Sequence, residues 1–233
     1  MAKKPTRPLK ITAHLIDGRI NSSDGLVMLD SIIYHSWFYK HAPQVLEGQG
    51  DSHYDGNIGL PLKMYSGNVW SASRGIYTEV SRSIEFINKR PNFFNADKIH
   101  FLNVDKGIIS DSMGIYRAYR IPNIIRTLRG SEITFYCCGH KDEILSMLSA
   151  MPAVAKKGAA GFGIVKEWTA EEIDEDYSFW HPEYGLMRPI PVGCEFAERH
   201  DMSKYPILQY ATKPPYWKAK NMELCYVPIE VNI

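Results

Sequence analysis

The stretch AVAKKGAAGFGIVKEW, residues 153–168, places two lysines in front of three glycines and then passes into an alternating apolar segment. Glycine adopts positive φ angles without steric penalty and lets the backbone approach another molecule closely. The lysines, Lys156 and Lys157, add two positive charges at the start of the turn. The pattern predicts either a structural turn between two elements or a turn that binds an anion.

Periodicity on both sides of this turn predicts strands and helices in alternation. In chain order they are a strand at 9–16, a helix at about 25–41, one or two strands at 68–90, a strand at 131–139, a helix at 140–151 and, after the turn, a strand at 162–168. This βαββαβ order is typical of an α+β, ferredoxin-like (RRM-like) domain, which we predict for residues 1–170. We expect an inserted basic β lobe, or thumb, at about 68–130. Proline-rich residues 171–233 predict an irregular acidic and aromatic extension packed on the domain.

Composition excludes several classes of protein. The 233 residues fit one large domain or two small ones. No apolar run approaches the ~20 residues that span a bilayer, and the basic N-terminus is not followed by the apolar segment of a signal peptide. We therefore expect a cytoplasmic protein without membrane contact. The four cysteines show neither C-x-x-C pairs nor zinc spacing, so we expect reduced thiols, no metal and no cofactor.

The net charge of +1 hides an uneven distribution. Residues 63–129 contain eleven Lys/Arg and five Asp/Glu, whereas residues 167–201 contain ten Asp/Glu and two arginines. The basic segment could meet a polyanion while the acidic segment faces a protein or solvent. Two solvated surfaces of opposite sign would give the same counts, and charge alone leaves both interpretations open.

Two phosphate-binding motifs do not match the turn. A P-loop has its lysine after the glycines and opens a helix, whereas here the lysines come first and a strand follows. The dinucleotide motif G-x-G-x-x-G also opens a helix, and this G-x-x-G-x-G turn leaves one. Arginines of the preceding segment alternate with tyrosines in IYRAYRI, residues 115–121. Since cations neutralise phosphates and tyrosines stack on bases, single-stranded nucleic acid is the favoured ligand.

The loop KKGAAGFGIV resembles the glycine-rich loop, G-x-x-G-[FY]-G-x-V, of the RAMP superfamily of CRISPR proteins. SSDGLVMLDSIIYHSW is similar to their N-terminal segment, in which an aspartate-containing loop opens the first helix. GLMRPIPVG and KPPYW resemble the tail of the type IV Cas-five-like subunit, also called Csf-three. The resemblance covers most of the chain.

The resemblance implies a non-catalytic subunit of a class 1 (type IV) CRISPR effector complex that caps the 5′ handle of the crRNA. Its partners would be the crRNA, the Cas-seven-type backbone subunit and the large subunit, with target DNA and a DinG-type helicase as further candidates. The inserted lobe would correspond to a thumb that grips RNA. The predicted RNA-binding residues are Lys156, Lys157, Gly158, Gly161, Phe162, Gly163, Arg74, Arg117, Tyr119, Arg120 and Arg126.

Two other functions remain open. The superfamily also contains metal-independent crRNA-processing endoribonucleases, which need a base, an acid and a cation at the scissile phosphate. His35 is the candidate catalytic residue for that alternative, with Tyr39, His41 and His140 as further candidates, although no compact set of these residue types occurs in the sequence. The third possibility is a binding module unrelated to CRISPR that contacts a protein through its acidic segment.

Overall fold

The structure is a computed structural model that describes residues 5–42, 58–65, 69–89, 119–216 and 218–229. Within these ranges the chain is mostly extended, and its thirteen strands form five small sheets. The strands are β1 (Arg7–Leu15), β2 (Arg19–Asn21), β3 (Met64–Tyr65), β4 (Val69–Trp70), β5 (Glu79–Lys89), β6 (Tyr119–Leu128), β7 (Glu132–Gly139), β8 (Val165–Glu172), β9 (Trp180–His181), β10 (Gly185–Leu186), β11 (Ile190–Pro191), β12 (Ile207–Ala211) and β13 (Met222–Tyr226). The α-helices are α1 (Leu29–His41), α2 (Lys141–Leu148) and α3 (Glu195–Glu198), and short 3₁₀ turns lie at Arg129–Ser131, Gly158–Ala160 and Ala219–Asn221.

The main hydrophobic core lies on one face of an antiparallel sheet with the strand order β7-β1-β8. Every second residue of β1 from Leu9 to Leu15 is buried, because alternate side chains of a strand point to the same face. Helices α1 and α2 contribute Ile33 and Ile144 to the same core. The predicted strands at 9–16 and 131–139 and the helix at 140–151 are confirmed in existence and type.

A second sheet, in the order β2-β6-β5, forms a long antiparallel arm. Strands β5 and β6 pair from Glu79 opposite Leu128 to Lys89 opposite Tyr119. Strand β2 joins the base of the arm directly after β1, which connects the arm to the main core. The pair lies in the segment where the sequence predicts an inserted lobe, and residues 90–118 of that segment lie outside the described residues.

The residues after β8 form short strands and a second, smaller core. Strand β9 pairs with β10, and β11, β13 and β12 form a three-stranded sheet in that order. Phe179, Leu186 and Tyr205 pack together in the second core with Val69 of β4. The segment around β4 therefore meets residues more than 100 positions later in this core. Among the described residues, no helix combines the length and apolarity that crossing a membrane requires.

The predicted ferredoxin-like βαββαβ fold is wrong, because the chain is mostly β and divided among several small sheets. The segment 68–90, predicted as one or two strands, forms β4 and β5, and between them the chain meets β7 through isolated bridges at Ala72 and Ile76. The intervening N–H groups bond elsewhere: Arg74 donates to Met187 O (2.6 Å) and Gly75 to Val27 O (2.7 Å). A ladder cannot continue where its donors bond other segments, so β5 joins the arm instead.

Helix α1 begins four residues later than the sequence predicts. Ser22 and Asp24, which precede the predicted start of the helix, form a turn in which their side chains accept hydrogen bonds from the N–H groups of Gly25 (3.1 Å) and Leu26 (3.2 Å). Met28 occupies the N-cap position without a side-chain bond to the helix. Because α1 begins at Leu29, residues 22–28 form an irregular segment before the helix. This segment lines the groove described below.

Candidate nucleic-acid interface

The glycine turn folds into a loop, residues 153–163, that is held by its own backbone. The N–H of Val154 donates to the carbonyl of Gly163 at 2.8 Å, which closes the loop. Two residues with side chains, Ala155 and Lys157, have φ angles of 61° and 63°, a region that residues other than glycine rarely adopt. We call this segment the glycine loop; its shape is set by local hydrogen bonds rather than by regular secondary structure.

Glycine occupies three positions of the loop for different structural reasons. Gly163 has a φ of +67°, and a Cβ there would lie 2.2 Å from the carbonyl oxygen of Val154. Gly161 has a φ of +91°, with nothing within 4 Å of the Cβ position among the described residues. A Cβ on Gly158 would lie 2.6 Å from that of Ala153. Packing explains Gly158 and Gly163, whereas at Gly161 only the backbone angle requires glycine.

The glycine loop is attached to β2. The N–H of Lys156 donates to the carbonyl of Asn21 at 3.1 Å, and the N–H of Gly163 donates to that of Arg19 at 2.6 Å. The ring of Phe162 is buried, and the Arg19 guanidinium lies over it at 5.6 Å from the ring centre. Since Phe162 packs inside, its ring is not presented to a base, although the sequence predicts it as an RNA contact.

A groove of about 710 Å³ begins at the glycine loop and runs along α1. Its walls come from the glycine loop, from the chain between β2 and α1, from α1 itself and from the C-terminal sheet. The lining residues used below are Asp24, Met28, Ile32, His35, Met151, Lys156, Gln209, Tyr210, Tyr216 and Met222. Half of the lining residues are apolar, and the rest, including two tyrosines, carry polar groups, a mixture that suits a ligand with an apolar body and a few hydrogen-bonding groups.

Two tyrosines fix the C-terminal wall of the groove to the N-terminal part of the chain. The hydroxyl of Tyr210 donates to Asp24 Oδ2 at 3.2 Å, and that of Tyr216 donates to Asp30 at 2.8 Å. Burial first, and the neighbouring carboxylates second, raise the pKa of Tyr210 and of Tyr216 above the usual range. Both hydroxyls therefore remain protonated and act as donors at any physiological pH.

Behind Tyr216 lies a buried ion pair between Arg188 and Asp30, both with zero exposed surface. A nitrogen of Arg188 lies 3.2 Å from Asp30 Oδ2 and donates to the carbonyl of Thr212 at 2.7 Å. The other terminal nitrogen donates to the carbonyls of Trp70 and Ala72. One guanidinium thus joins four parts of the chain, and the position of Tyr216 in the groove depends on it.

Three of the predicted cations are exposed in the described structure. Lys156 and Lys157 project from the glycine loop, and Lys156 also lines the groove. Arg120 lies on the arm, with its guanidinium 3.9 Å from the ring centre of Phe86. Six residues of strand, about 20 Å, separate Arg120 from the base of the arm at Arg126. The exposed cations therefore fall into two groups, one at the loop and one along the arm.

The other predicted cations are either buried inside the protein or lie outside the described residues. Arg126 is 1% exposed and donates to Glu79 Oε2 at 2.6 Å and to the carbonyl of Ser22 at 2.9 Å. Arg74 is 7% exposed, between α1 and the C-terminal extension. Neither presents its charge to solvent. Arg117 and the side chain of Tyr119 lie outside the described residues.

His35, the candidate for the endonuclease alternative, is exposed on α1 and lines the groove. Desolvation by its surroundings lowers its pKa, so the imidazole is neutral at pH 7. Its ring meets that of Tyr39 edge-on at 5.4 Å. A neutral imidazole can donate and accept hydrogen bonds, but it does not supply a positive charge.

The other histidine candidates do not join His35. His41 is six residues further along α1, which rotates it about 120° around the helix, and its ring stacks on Trp37 at 4.8 Å. His140 precedes α2, where its N–H bonds the carbonyl of Pro61. Within the described ranges, no group of three or more His, Cys, Asp or Glu residues has the arrangement of a metal site.

Residues that the sequence analysis did not select complete the site. Arg19 is exposed beside the glycine loop, where it pairs with Asp17 at 2.8 Å. Asp24, Tyr210 and Met222 line the groove. Asp24 belongs to the SSDG motif, but nothing in a single sequence shows that residues nearly 190 positions later return to it.

The comparison with protein families identifies one match. The family model described as CRISPR type IV associated protein Csf3 matches residues 7–228. A comparison with curated proteins finds no match. The family match spans nearly all of the chain, including the glycine loop, both walls of the groove and the arm. The chain therefore belongs to the Csf3 family of type IV CRISPR-associated proteins.

Proposed function

We propose that this protein is the crRNA-binding subunit of a type IV effector complex and that it holds the 5′ handle of the guide RNA. Membership of the Csf3 family shows the association with type IV CRISPR systems. The observation that carries the finer proposal is the glycine loop, which exposes Lys156 and Lys157 next to a groove that Lys156 also lines.

The chemistry of the glycine loop suits a single-stranded backbone. Two adjacent exposed lysines can neutralise successive phosphates, and phosphate neutralisation dominates affinity for nucleic acid. Gly161 has no Cβ, and no atom of the described residues lies within 4 Å of its Cβ position, which allows a sugar-phosphate chain to approach the loop closely. Arg120 on the arm extends the cationic surface away from the loop, with Phe86 as an aromatic neighbour.

The proposed partners follow from this role. A subunit that caps the guide contacts the Cas-seven-type backbone subunit on one side and the large subunit on the other. Target DNA and a DinG-type helicase would meet the assembled complex rather than this chain alone. The apolar side chains exposed along β5, including Ile84 at 62% and Phe86 at 49%, offer surface for such contacts.

The proposed role is non-catalytic. A metal-independent ribonuclease needs an acid and a base on opposite sides of the scissile phosphate. His35 is the histidine of the groove lining, while the ring of His41 stacks on Trp37 and His140 precedes α2, outside that lining. Cleavage of repeat RNA by the purified protein would replace this proposal with the endoribonuclease alternative.

The test compares charge reversal at the loop with charge reversal at a remote lysine. Lys156→Glu and Lys157→Glu should each weaken binding of a single-stranded RNA and lower the slope of log K against log salt by about 0.7. Lys63→Glu is the matched control. Its N–H bonds the carbonyl of Cys138, at the opposite end of the central sheet and about 23 Å along β1 from Leu15.

The comparison has a clear negative outcome. Equal losses for Lys156→Glu and Lys63→Glu would mean that general charge, not the glycine loop, determines RNA binding. Purification of the complex with its backbone subunit and sequencing of the bound RNA would then show whether any guide is held at all.

A further inference from the structure

The groove offers chemistry that the phosphate contacts of the proposed function do not use. Lys156 stands at its rim, whereas its interior is formed by side chains such as Met28, Ile32, Met151 and Met222. Against these apolar side chains a phosphate would lose its hydration without gaining a hydrogen-bond partner from them. A planar aromatic base would instead pack against the methionine side chains, whose sulfurs interact favourably with aromatic rings.

The size of the groove and its position favour a base as the occupant. Its volume of about 710 Å³ lies in the range of small-molecule sites. Because Lys156 belongs to both the glycine loop and the groove lining, a nucleotide with its phosphate at this lysine has its base directed along the groove. A base can enter only when it is unstacked and unpaired, as bases of single-stranded RNA are.

The polar groups of the groove favour one class of base. Oδ1 of Asp24 accepts hydrogen bonds from Ser22 Oγ (3.3 Å) and the N–H of Leu26 (3.2 Å), while Oδ2 accepts from Tyr210 (3.2 Å). A carboxylate oxygen accepts two hydrogen bonds, so Oδ2 can take one more donor. An exocyclic amino group of cytosine, adenine or guanine is such a donor, whereas uracil has no amino group and its N3–H lies between two carbonyl acceptors, O2 and O4, that the carboxylate repels.

We infer that the groove binds the base of one unstacked nucleotide of the RNA, and that it prefers a base with an exocyclic amino group. This inference rests on the proposed function, since it places the base of a nucleotide whose phosphate lies at the glycine loop. It adds a sequence-selective contact to a surface that otherwise binds RNA through charge.

The probes are three single-stranded RNA heptamers: oligouridine, and the same heptamer with one central cytidine or adenosine. Wild-type protein should bind the two substituted heptamers about tenfold more tightly than oligouridine, since every base can stack in the groove but only the substituted bases donate an amino group to the carboxylate. The dependence of affinity on salt should be the same for all three heptamers, because the phosphates do not differ.

Met222→Trp is designed to fill the groove without changing charge, and Leu224→Trp is its matched control. Both side chains lie on the same face of β13, but Met222 lines the groove and Leu224, 61% exposed, does not. Met222→Trp should remove the tenfold preference and leave the salt dependence unchanged. Leu224→Trp should preserve the preference. Equal denaturation midpoints for the two variants show that both fold.

A second measurement uses wild-type protein alone and so does not depend on any variant folding. Dimethyl sulfate methylates N1 of adenine and N3 of cytosine when these edges are free. The central base of a bound heptamer should be protected in the wild-type complex. Reaction at the rate of free RNA would overturn the inference, as would equal affinity for the three heptamers.

The outcomes separate this inference from the proposed function. If Lys156→Glu lowers the salt slope but the central base has no effect, the glycine loop binds RNA and the groove does not select a base. If wild-type protein binds none of the heptamers, the proposed function fails and the inference fails with it. If the preference for a central cytidine or adenosine survives in Met222→Trp, the base is recognised outside the groove.

Discussion

Substituting alanine at two glycines of the same loop separates backbone strain from steric clash. Gly161 and Gly163 both have positive φ angles, +91° and +67°, so Gly→Ala at either position introduces an L side chain into the left-handed region. That strain costs roughly 1–2 kcal/mol. At Gly161 the added Cβ meets no described atom within 4 Å, so strain is the whole expected effect.

At Gly163 the same substitution adds two further costs. The Cβ would lie 2.2 Å from Val154 O, and relieving this overlap costs about 1–3 kcal/mol. The movement also disturbs two backbone hydrogen bonds of Gly163, to Val154 (2.8 Å) and Arg19 (2.6 Å), each contributing about 0.5–1.5 kcal/mol. Gly163→Ala should therefore destabilise the protein by about 2–6 kcal/mol more than Gly161→Ala, once the shared strain is subtracted.

The assay is urea unfolding of both variants, with the midpoint and the slope m compared with those of the wild type. Unchanged m with a lower midpoint reports a loss of stability rather than a change in the unfolded state. Equal destabilisation by Gly161→Ala and Gly163→Ala would refute the steric argument. If Gly163→Ala instead lost RNA binding at unchanged stability, Gly163 would be a site of close RNA approach, as its sequence alone suggested.

Three other perturbations test different parts of the structure. Asp30→Asn should destabilise the protein by about 3–5 kcal/mol, because it leaves the buried Arg188 without its counter-ion, whereas Glu171→Gln, which breaks an exposed pair, should leave the melting temperature nearly unchanged. Hydrogen bonds from Arg82 and Arg126 hold the pKa of Glu79 below its usual 4.5. The ionised carboxylate therefore stabilises the fold above pH 4.5, and this stabilisation is lost as the pH falls through the lower folded pKa. In Glu79→Gln, the free energy of unfolding should consequently fall less steeply with pH in this acid range. Wild-type protein freed of processing enzymes should leave repeat RNA intact with or without Mg²⁺, and His35→Ala should not change the length of the guide RNA; site-specific cleavage that His35→Ala abolishes would establish the ribonuclease alternative.

Local sequence patterns predicted the elements well where side-chain periodicity is strong. Alternation in LKITAHLI and SEITFYCCG corresponds to β1 and β7, and the helical spacing of Ile144 and Leu148 corresponds to α2. These patterns report which face of an element is buried, and burial is what fixes the element. The assembly of the elements into a ferredoxin-like sheet was wrong because it depends on long-range hydrogen bonds, such as that from Gly75 to Val27, which have no local signature.

The candidate site was also predictable only in part, because a sequence shows which residues adjoin one another but not which of them are exposed. Lys156 and Lys157 adjoin the glycines in sequence and are exposed as expected, so the chemistry of the loop could be read locally. Arg126 was selected as a cation of the basic inserted lobe, yet its guanidinium is buried against Glu79 and the carbonyl of Ser22. Charge in a sequence indicates a cation but not its exposure, and a buried arginine differs from an RNA-binding one only in its surroundings.

The groove exists because the C-terminal extension returns to the start of α1, and this makes its shape depend on the Asp30 cluster. Tyr216 lines the groove and donates to Asp30, which Arg188 in turn holds in place. Loosening this cluster should displace the wall that carries Tyr210 and Met222 while leaving the glycine loop attached to β2. By the inference above, a base in the groove contacts both walls, so its binding favours the arrangement in which the cluster holds the two walls together. A phosphate at Lys156 contacts the glycine loop alone. A substitution that weakens the cluster, such as Tyr216→Phe, which removes the hydrogen bond to Asp30, should consequently reduce the preference for an amino-bearing base. The salt-dependent affinity for RNA should change less.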